Sequence, residues 1–312
     1  MIQNNSMQPP LVSVIIPNYC HARYLDQRIQ SVLNQTYQNF EVIILDDCSP
    51  DDGASRAVIE KYRDNPHVSH IVYNTENSGS TFRQWNKGFG LAKGELIWIA
   101  ESDDYCEKEL LAKLVQPFIN NQDTVISFCR SIAFNDHGII GPVGKDIQEG
   151  FISGSAFIHD YMRAGNGIIN ASSAVFRKKT LTKIRKDYQT YSGAGDRLFW
   201  IYLAEQGDVC YLEKGLNYFR THLANTTSKK NLDGTNQRED KKILDYIYTK
   251  GYISAKEYSE CSREYVRVHI FEMLTDKTLK KQLYKVWGIG TFGKIKLRLE
   301  AWMKKKNTML CR

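Results

Sequence analysis

Two clusters of neighbouring carboxylates and one isolated acid mark where this sequence could do chemistry. Asp46-Asp47 closes one short apolar run, and Glu101-Ser102-Asp103-Asp104 closes another. Adjacent like charges repel. Ordinary turn and cap duty would account for Asp51 and Asp52, but it accounts poorly for these two clusters. A third polar cluster, Pro17-Asn18-Tyr19, follows the first apolar run. Clustered carboxylate oxygens suit Mg²⁺ or Mn²⁺. The chain has neither a G-x-G-x-x-G turn after its first apolar run nor a P-loop lysine motif, so the glycine-rich phosphate cradles are missing. A bound diphosphate would need a cation between itself and the carboxylates, the arrangement expected of a nucleotide-sugar site. Asp196 stands apart, behind Ser192-Gly193-Ala194-Gly195. Such a run lets a substrate approach the backbone closely. Asp196 is then either a general base or the cap of the helix that follows it.

The elements that must position these residues alternate regularly. Leu11–Ile16, Phe40–Leu45, Val68–Tyr73 and Glu95–Ala100 read as strands, being short, apolar and β-branched. Between them, Leu25, Ile29, Val32 and Leu33, then Val58, Ile59 and Tyr62, then Phe82–Ala92 recur at helical spacing. This βαβαβαβ order predicts a mostly parallel sheet with helices on both faces. In such a sheet ligands bind beyond the carboxyl ends of the strands, where the three polar clusters fall. Farther on, Leu110–Ile119 reads as a helix, Thr124–Cys129 as a strand and Asn135–Gly150 as a polar loop. Ala171–Arg177 reads as a strand, Asp196–Gln206 as a helix and Val209–Leu212 as a short strand. From Asp233 the chain is Lys/Glu-rich with apolar residues at helical spacing, a helical appendage.

Composition narrows the class. The chain has 312 residues, 42% hydrophobic and 25% charged, enough for a sizeable core in one large or two unequal domains. Seven cysteines at scattered spacings, with no CxxC, exclude a disulfide framework or structural zinc as the expectation. The start has no basic and apolar leader, and no apolar run approaches the length of a membrane span. A cytoplasmic protein with reduced thiols is expected. The net charge of +7 is uneven: residues 225–312 hold about twice as many Lys/Arg as Asp/Glu, while residues 1–224 are slightly acidic.

Three segments carry a resemblance: LVSVIIPNYCHARYLDQRIQSVLNQTYQNFEVIILDDCSPDD, NTENSGSTFRQWNKGFGLAKGELIWIAESDD and AGDRLFWIYLAEQG. Together, in order, they resemble a family-2 glycosyltransferase of the GT-A fold over roughly residues 10–225. The resemblance implies an α/β, Rossmann-type, mostly parallel sheet: an N-terminal tail (1–10), a catalytic domain (11–225) and a basic helical region (226–312). Residues 11–104 would bind nucleotide and residues 105–225 would carry acceptor and catalysis. Within that family Pro17 and Tyr19 would lie against the base, Asp47 would hydrogen-bond it, and Asn18 and Asp46 belong to the same strand ends. Asp103 and Asp104 would contact ribose and metal, Mn²⁺ or Mg²⁺, with Glu101 or His222 as further ligands. Arg83 would face the diphosphate or lie on the helix surface. Asn170, Ser172 and Ser173 would lie near the acceptor or form a turn, and Cys20 and Cys48 read as small space-filling residues. Asp196 would be the catalytic base, with Trp200 four residues on as the family has it. Two positions depart from the family pattern: Glu101 replaces the first Asp of D-x-D, and Gly195 replaces the Glu before Asp196.

The implied activity is inverting, metal-dependent transfer from a nucleoside diphosphate sugar, typically a UDP-sugar, to a hydroxyl of a surface polysaccharide or lipid-linked glycan. Two rivals stand beside it: a nucleotidyltransferase on a similar sheet, and an inactive glycan-binding scaffold. No nucleic-acid partner is expected. In residues 291–306, Phe292, Ile295, Leu299, Trp302 and Met303 fall near one face of a helix among lysines. That pattern fits either packing on the domain or an anionic membrane surface.

Overall fold

The computed structural model describes residues 9–221, 232–291 and 293–297. These fall into two compact units. The larger comprises Met1–Tyr161, Asn166–Thr190 and Gly195–His222, and the smaller Met162–Gly165, Tyr191–Ala194 and Leu223–Arg312. Two short loops, 162–165 and 191–194, thus belong with the C-terminal helices, which no linear division of the sequence anticipates.

In the larger unit the four predicted strands are β1 (Val12–Asn18), β2 (Phe40–Asp46), β3 (Val68–Tyr73) and β4 (Leu96–Ile99). They are followed by β5 (Tyr105–Cys106), β6 (Thr124–Asn135), β7 (Gly138–Val143), β8 (Gly150–Ile152), β9 (Ala174–Arg177) and β10 (Asp208–Arg220). The sheet order is β3-β2-β1-β4-β9-β6-β10-β5, with β7 on β6 and β8 on β10. β1 pairs in parallel with β2 and β4, β2 with β3, and β6 with β10. β9 runs antiparallel between β4 and β6. The mostly parallel sheet is therefore as expected, and β9 is the one long-range reversal among the central strands.

Both faces are covered. The helices are α1 (Ala22–Leu33), α2 (Ala54–Glu60), α3 (Thr81–Leu91), α4 (Leu110–Asn120), the single turn α5 (Gly154–Phe157) and α6 (Gly195–Ala204). Val12, Val14 and Ile16 of β1 pack with Leu25, Ile29 and Val32 of α1, Ile59 of α2 and Leu110, Leu114 and Phe118 of α4. The alternate residue Ile15 meets α3, where a Cβ on Gly88 would lie 2.5 Å from its methyl. On that side Phe89, Phe176 and Phe199 form an aromatic cluster. Strands buried on both sides explain why they read as continuous apolar runs.

The region after β5 departs from expectation. β6 extends to Asn135 and pairs with β7, so the predicted polar loop contains a hairpin. Ala171–Ser173 forms a short 3-10 turn ahead of β9. β10 runs for 13 residues through register shifts. The smaller unit is helical: α7 (Thr235–Thr249), α8 (Ala255–Tyr265) and α9 (Lys277–Val286). A Ser254–Glu257 capping box starts α8 and Asp276 caps α9. Ile243, Ile247, Val266, Ile270 and Leu283 form its core, and Trp287 stacks on Tyr265. Among the described residues no helix is long and apolar enough to cross a membrane. Within the predicted tail stripe, Ile295 is exposed and its neighbour Leu297 is buried. Phe292, Leu299, Trp302 and Met303 lie outside the described residues.

Candidate active site at the strand ends

β1 and β2 run in register and place Asn18 opposite Asp46. The Asn18 amide donates to Asp46 Oδ1 at 2.7 Å, and Ser49 donates to the same carboxylate through its hydroxyl and its backbone N–H. Both strands then turn sharply through left-handed residues, Cys20 at φ 58 and Cys48 at φ 56. These cysteines, expected as small space-filling residues, instead hold left-handed turn positions. Cys20 is exposed and Cys48 half-exposed, and each serves the turn. Pro17 is buried, while Tyr19 keeps 46% of its surface exposed.

Asp47 is buried and serves as a hub. Its Oδ1 accepts from Asn74 at 2.6 Å, Gln84 at 2.7 Å and the Ser78 N–H at 2.9 Å. Its Oδ2 accepts from the Ser78 hydroxyl at 2.8 Å and Asn77 at 3.3 Å. Five donors bind it to the 74–78 loop and the first turn of α3. A base contact through this side chain would share or displace one of them, and Asp47 here anchors that loop. Arg83, one residue before Gln84, is exposed and donates to the Ser78 carbonyl at 2.9 Å. It thus lies on the exposed face of the first turn of α3.

The four residues after β4 divide their duties. Asp104 is 1% exposed. Its Oδ2 accepts from Ser172 at 2.7 Å and Asn170 at 2.9 Å, and its Oδ1 accepts from the Arg220 N–H at 3.0 Å. The Arg28 guanidinium, wholly buried, lies 3.7 Å away. Burial and the neighbouring Asp103 push the Asp104 carboxyl upward, and Arg28 opposes them. Asp104 is thus a structural carboxylate turned into the domain. Its expected role as metal ligand would require it to give up one or more of these bonds. Asn170, Ser172 and Ser173 are likewise buried; they form the turn that was one of their two expected roles, and the first two donate to Asp104.

Asp103 and Glu101 remain partly exposed. The Asp103 carbonyl accepts from Arg220 Nε at 2.8 Å, and the Glu101 carbonyl from Arg28 Nε at 2.8 Å, so two buried arginines fix the backbone of this turn. Arg220 lies between the Tyr24 and Phe134 rings. Trp85 donates its indole N–H to Glu101 at 2.9 Å. Burial, then repulsion from Asp103, pushes the Glu101 carboxyl up to about 8 despite that bond. Ser102 between them is held by His21 at 2.9 Å.

Among the described residues no group of three or more His, Cys, Asp or Glu could hold a metal by itself. A cation bound by one or two carboxylates plus substrate phosphates needs no such cage. Asp103, with Glu101 two residues away, supplies hard oxygen donors of the right type for that mode, so the residues present fit it. His222 lies outside the described residues.

Asp196 opens α6. Its Oδ2 accepts from Asn166 at 2.8 Å and its Oδ1 from the Arg197 N–H at 2.8 Å. A Cβ on Gly195 would lie 2.5 Å from the Phe82 ring and 2.6 Å from the Tyr188 carbonyl. The family's Glu would therefore clash at this position unless the neighbours shifted. Phe82 in turn packs edge-on against Trp85, the donor to Glu101. One helix, α3, thus touches the Asp47 hub, Glu101 and the start of α6. The backbone N–H groups of the run before Gly195 are taken up within the smaller unit. In the smaller unit, Glu239 of α7 accepts the N–H groups of Ser192, Gly193 and Ala194 at 2.7, 2.9 and 2.7 Å. Trp200 is a core residue.

Sequence reasoning missed Arg28, Arg220, Trp85 and Asn166. For Arg28 the signal was present: it shares the buried stripe Leu25, Arg28, Ile29, Val32, at helical spacing.

The family model of glycosyl transferase family 2 matches residues 13–184, more than half the chain. The chain is 31% identical over 197 residues to the poly(ribitol-phosphate) beta-N-acetylglucosaminyltransferase TarP of Staphylococcus aureus, a match covering 61% of this chain and 56% of TarP. The fold is similar to that of S. aureus TarS in complex with UDP-GlcNAc, with TM-score 0.56 and 21% identity over 87% of this chain and 70% of that one. It is also similar to the Pyrobaculum calidifontis mannosyltransferase PcManGT in complex with GDP-Man and Mn²⁺, with TM-score 0.58 and 14% identity over 95% of this chain and 81% of that one. With the parallel sheet, the acidic strand ends and the family match together, the chain belongs to glycosyl transferase family 2.

Proposed function

We propose that the chain transfers one sugar from a nucleoside diphosphate sugar, a UDP-sugar, to a hydroxyl of a growing surface polysaccharide or lipid-linked glycan, with inversion. The observation that carries this reading is the division of labour after β4. Asp104 is consumed by the fold, whereas Asp103 and Glu101 stay partly exposed beside α3, whose Phe82 also meets the residue before Asp196. TarP and TarS, named or crystallised as handlers of N-acetylglucosamine, support a UDP-linked donor.

The exposed Tyr19 ring offers a stacking face for the base. Asn18, Asp46 and the Asp47 hub hold the two loops that border it. Asp103, with Glu101 beside it, would hold a divalent cation, which when bound neutralises charge on the leaving diphosphate. Asp196 takes the acceptor hydroxyl's proton as that oxygen attacks. Asn166 and the Arg197 N–H keep its carboxylate oriented for this. General-base help of this type is worth ~10²–10⁴-fold. Direct attack inverts the anomeric centre, and no second nucleophile is assigned. Peripheral contact of residues 291–306 with anionic membrane belongs to the same reading. A chain ending at Gly288 should then lose salt-sensitive sedimentation with anionic vesicles.

Nucleoside diphosphate release from a panel of nucleotide sugars, with and without Mn²⁺, tests the function. Release of UDP from a UDP-sugar is expected. Pyrophosphate released from a nucleoside triphosphate would mark a nucleotidyltransferase, and no product with any donor would mark a scaffold.

A further inference from the structure

A cavity of about 620 Å³ opens in the larger unit, lined by the last turns of α3, the turn that follows, and the stretch after β9. It is not the strand-end site. Gln84 in the first turn of α3 binds Asp47, whereas the cavity takes in Gly94, which approaches the Leu11 carbonyl before the start of β1. An eleven-residue helix spans about 16 Å between these ends.

The cavity has two chemistries. Phe89, Leu181, Ile184 and Tyr188 line it with apolar and aromatic surface, and Lys93, Lys178, Lys179 and Lys186 add ammonium groups. Lys178 donates to the Ala92 carbonyl. Lys93, Lys179 and Lys186 form no ion pair among the described residues. The one acid in the lining, Glu95, interacts with Arg177. Residues 177–186 carry six Lys/Arg and no Asp/Glu. Glu95, and Glu41 acting on Lys93, offset only part of the charge of Lys93, Arg177, Lys178, Lys179 and Lys186, so the lining stays cationic and an anionic occupant would relieve it. The volume lies within the range of ligand pockets, about 300–1,000 Å³. An inorganic anion would leave the apolar lining unused, and a neutral apolar molecule would leave the lysines unused.

We infer that this cavity binds a phosphomonoester carried on an apolar body, either a lipid headgroup or a free phosphorylated ligand. Gly90 provides a clean obstruction. It is exposed on α3, and a Cβ there would meet nothing within 4 Å. Replacing a helical Gly also improves intrinsic helix propensity.

Calorimetric titration of the full chain with octyl phosphate tests this. One saturable, salt-sensitive equivalent is expected. Gly90→Glu and the triple variant Lys93→Gln/Lys179→Gln/Lys186→Gln should each weaken it by about tenfold or more, with melting temperature and donor turnover at wild-type level. Unchanged affinity in these variants would overturn the inference. So would inorganic phosphate or octyl glucoside binding as tightly as octyl phosphate. Sedimentation with phosphatidic acid vesicles that the triple variant loses identifies the lipid source. Octyl phosphate binding with vesicle sedimentation that the triple variant leaves unchanged, as contact through residues 291–306 alone would give, identifies the free one, and either result upholds the shared chemistry.

Discussion

Replacing Asp104 should unfold the larger unit before it tells anything about catalysis, whereas replacing Asp103 should do the reverse. In Asp104→Asn the charge facing the buried Arg28 is gone. Arg28 Nη1 and Nη2 already have no hydrogen-bond partner, so the guanidinium would be left buried and uncompensated. The new amide NH₂ would also confront donors, since Asn170, Ser172 and the Arg220 N–H all point hydrogens at the carboxylate. Removing one partner of a buried pair costs about 3–5 kcal/mol. At about 2–4 °C per kcal/mol for a unit of this size, the melting temperature should fall by about 6–20 °C. Asp103→Asn removes a partly exposed carboxylate and leaves the backbone carbonyl that accepts from Arg220 in place. It should move the melting temperature by no more than about 2 °C and lose most metal-stimulated turnover. Thermal melts paired with nucleoside diphosphate release read both effects. An Asp104→Asn protein that melts like wild type and loses activity as Asp103→Asn does would refute the division of duties drawn here.

Asp196→Asn keeps the side chain's size and should lower kcat by roughly 10²-fold or more while donor affinity holds; collapsed donor binding with kcat intact would make Asp196 a binding residue. Gly195→Ala pushes a methyl into Phe82 and the Tyr188 carbonyl. It should cost about 1–3 kcal/mol in denaturant melts, and restoring the family's Glu should cost more; unchanged stability would mean that the site has room. Glu41 tests the other end of the sheet. Burial raises its carboxyl, but bonds from Ser13 and the Lys93 N–H outweigh that and hold it below the usual carboxylate range. A lowered folded pKa contributes stability above the unfolded value, about 4.3, and loses it as pH falls through the folded one. The stability advantage of wild type over Glu41→Gln should therefore be constant above about pH 5 and shrink below about pH 4. An advantage that grows on acidification would reverse the assigned sign.

How much of this was legible depended on how local each signal was. β1 to β4 and α1 to α4 each carry their own apolar run or stripe, and the structure has all of them. β6 and β10 were cut short because their second halves mix in Arg130, Ser131, Asn217 and Arg220, whose polar groups bond across the sheet and at the strand-end turn. β7 lies on the sheet edge with Ile139 and Ile140 exposed, so no burial alternation marked it. The acidic strand ends were found, but not which acid turns inward. That choice belongs to Arg28 and to Ser172, 76 and 68 positions away in sequence. The role of Gly195 is likewise tertiary, because Phe82 and Tyr188 come from separate segments.

Hydrogen–deuterium exchange of the full chain with UDP and Mn²⁺ tests the central claim most directly, because it locates the donor without assuming its sugar. The account predicts added protection in the backbone amides of residues 18–21, 46–49 and 101–104, with the cavity stretch 177–188 unchanged. Protection confined to 177–188, or none at the three strand ends under saturating nucleotide, would contradict it.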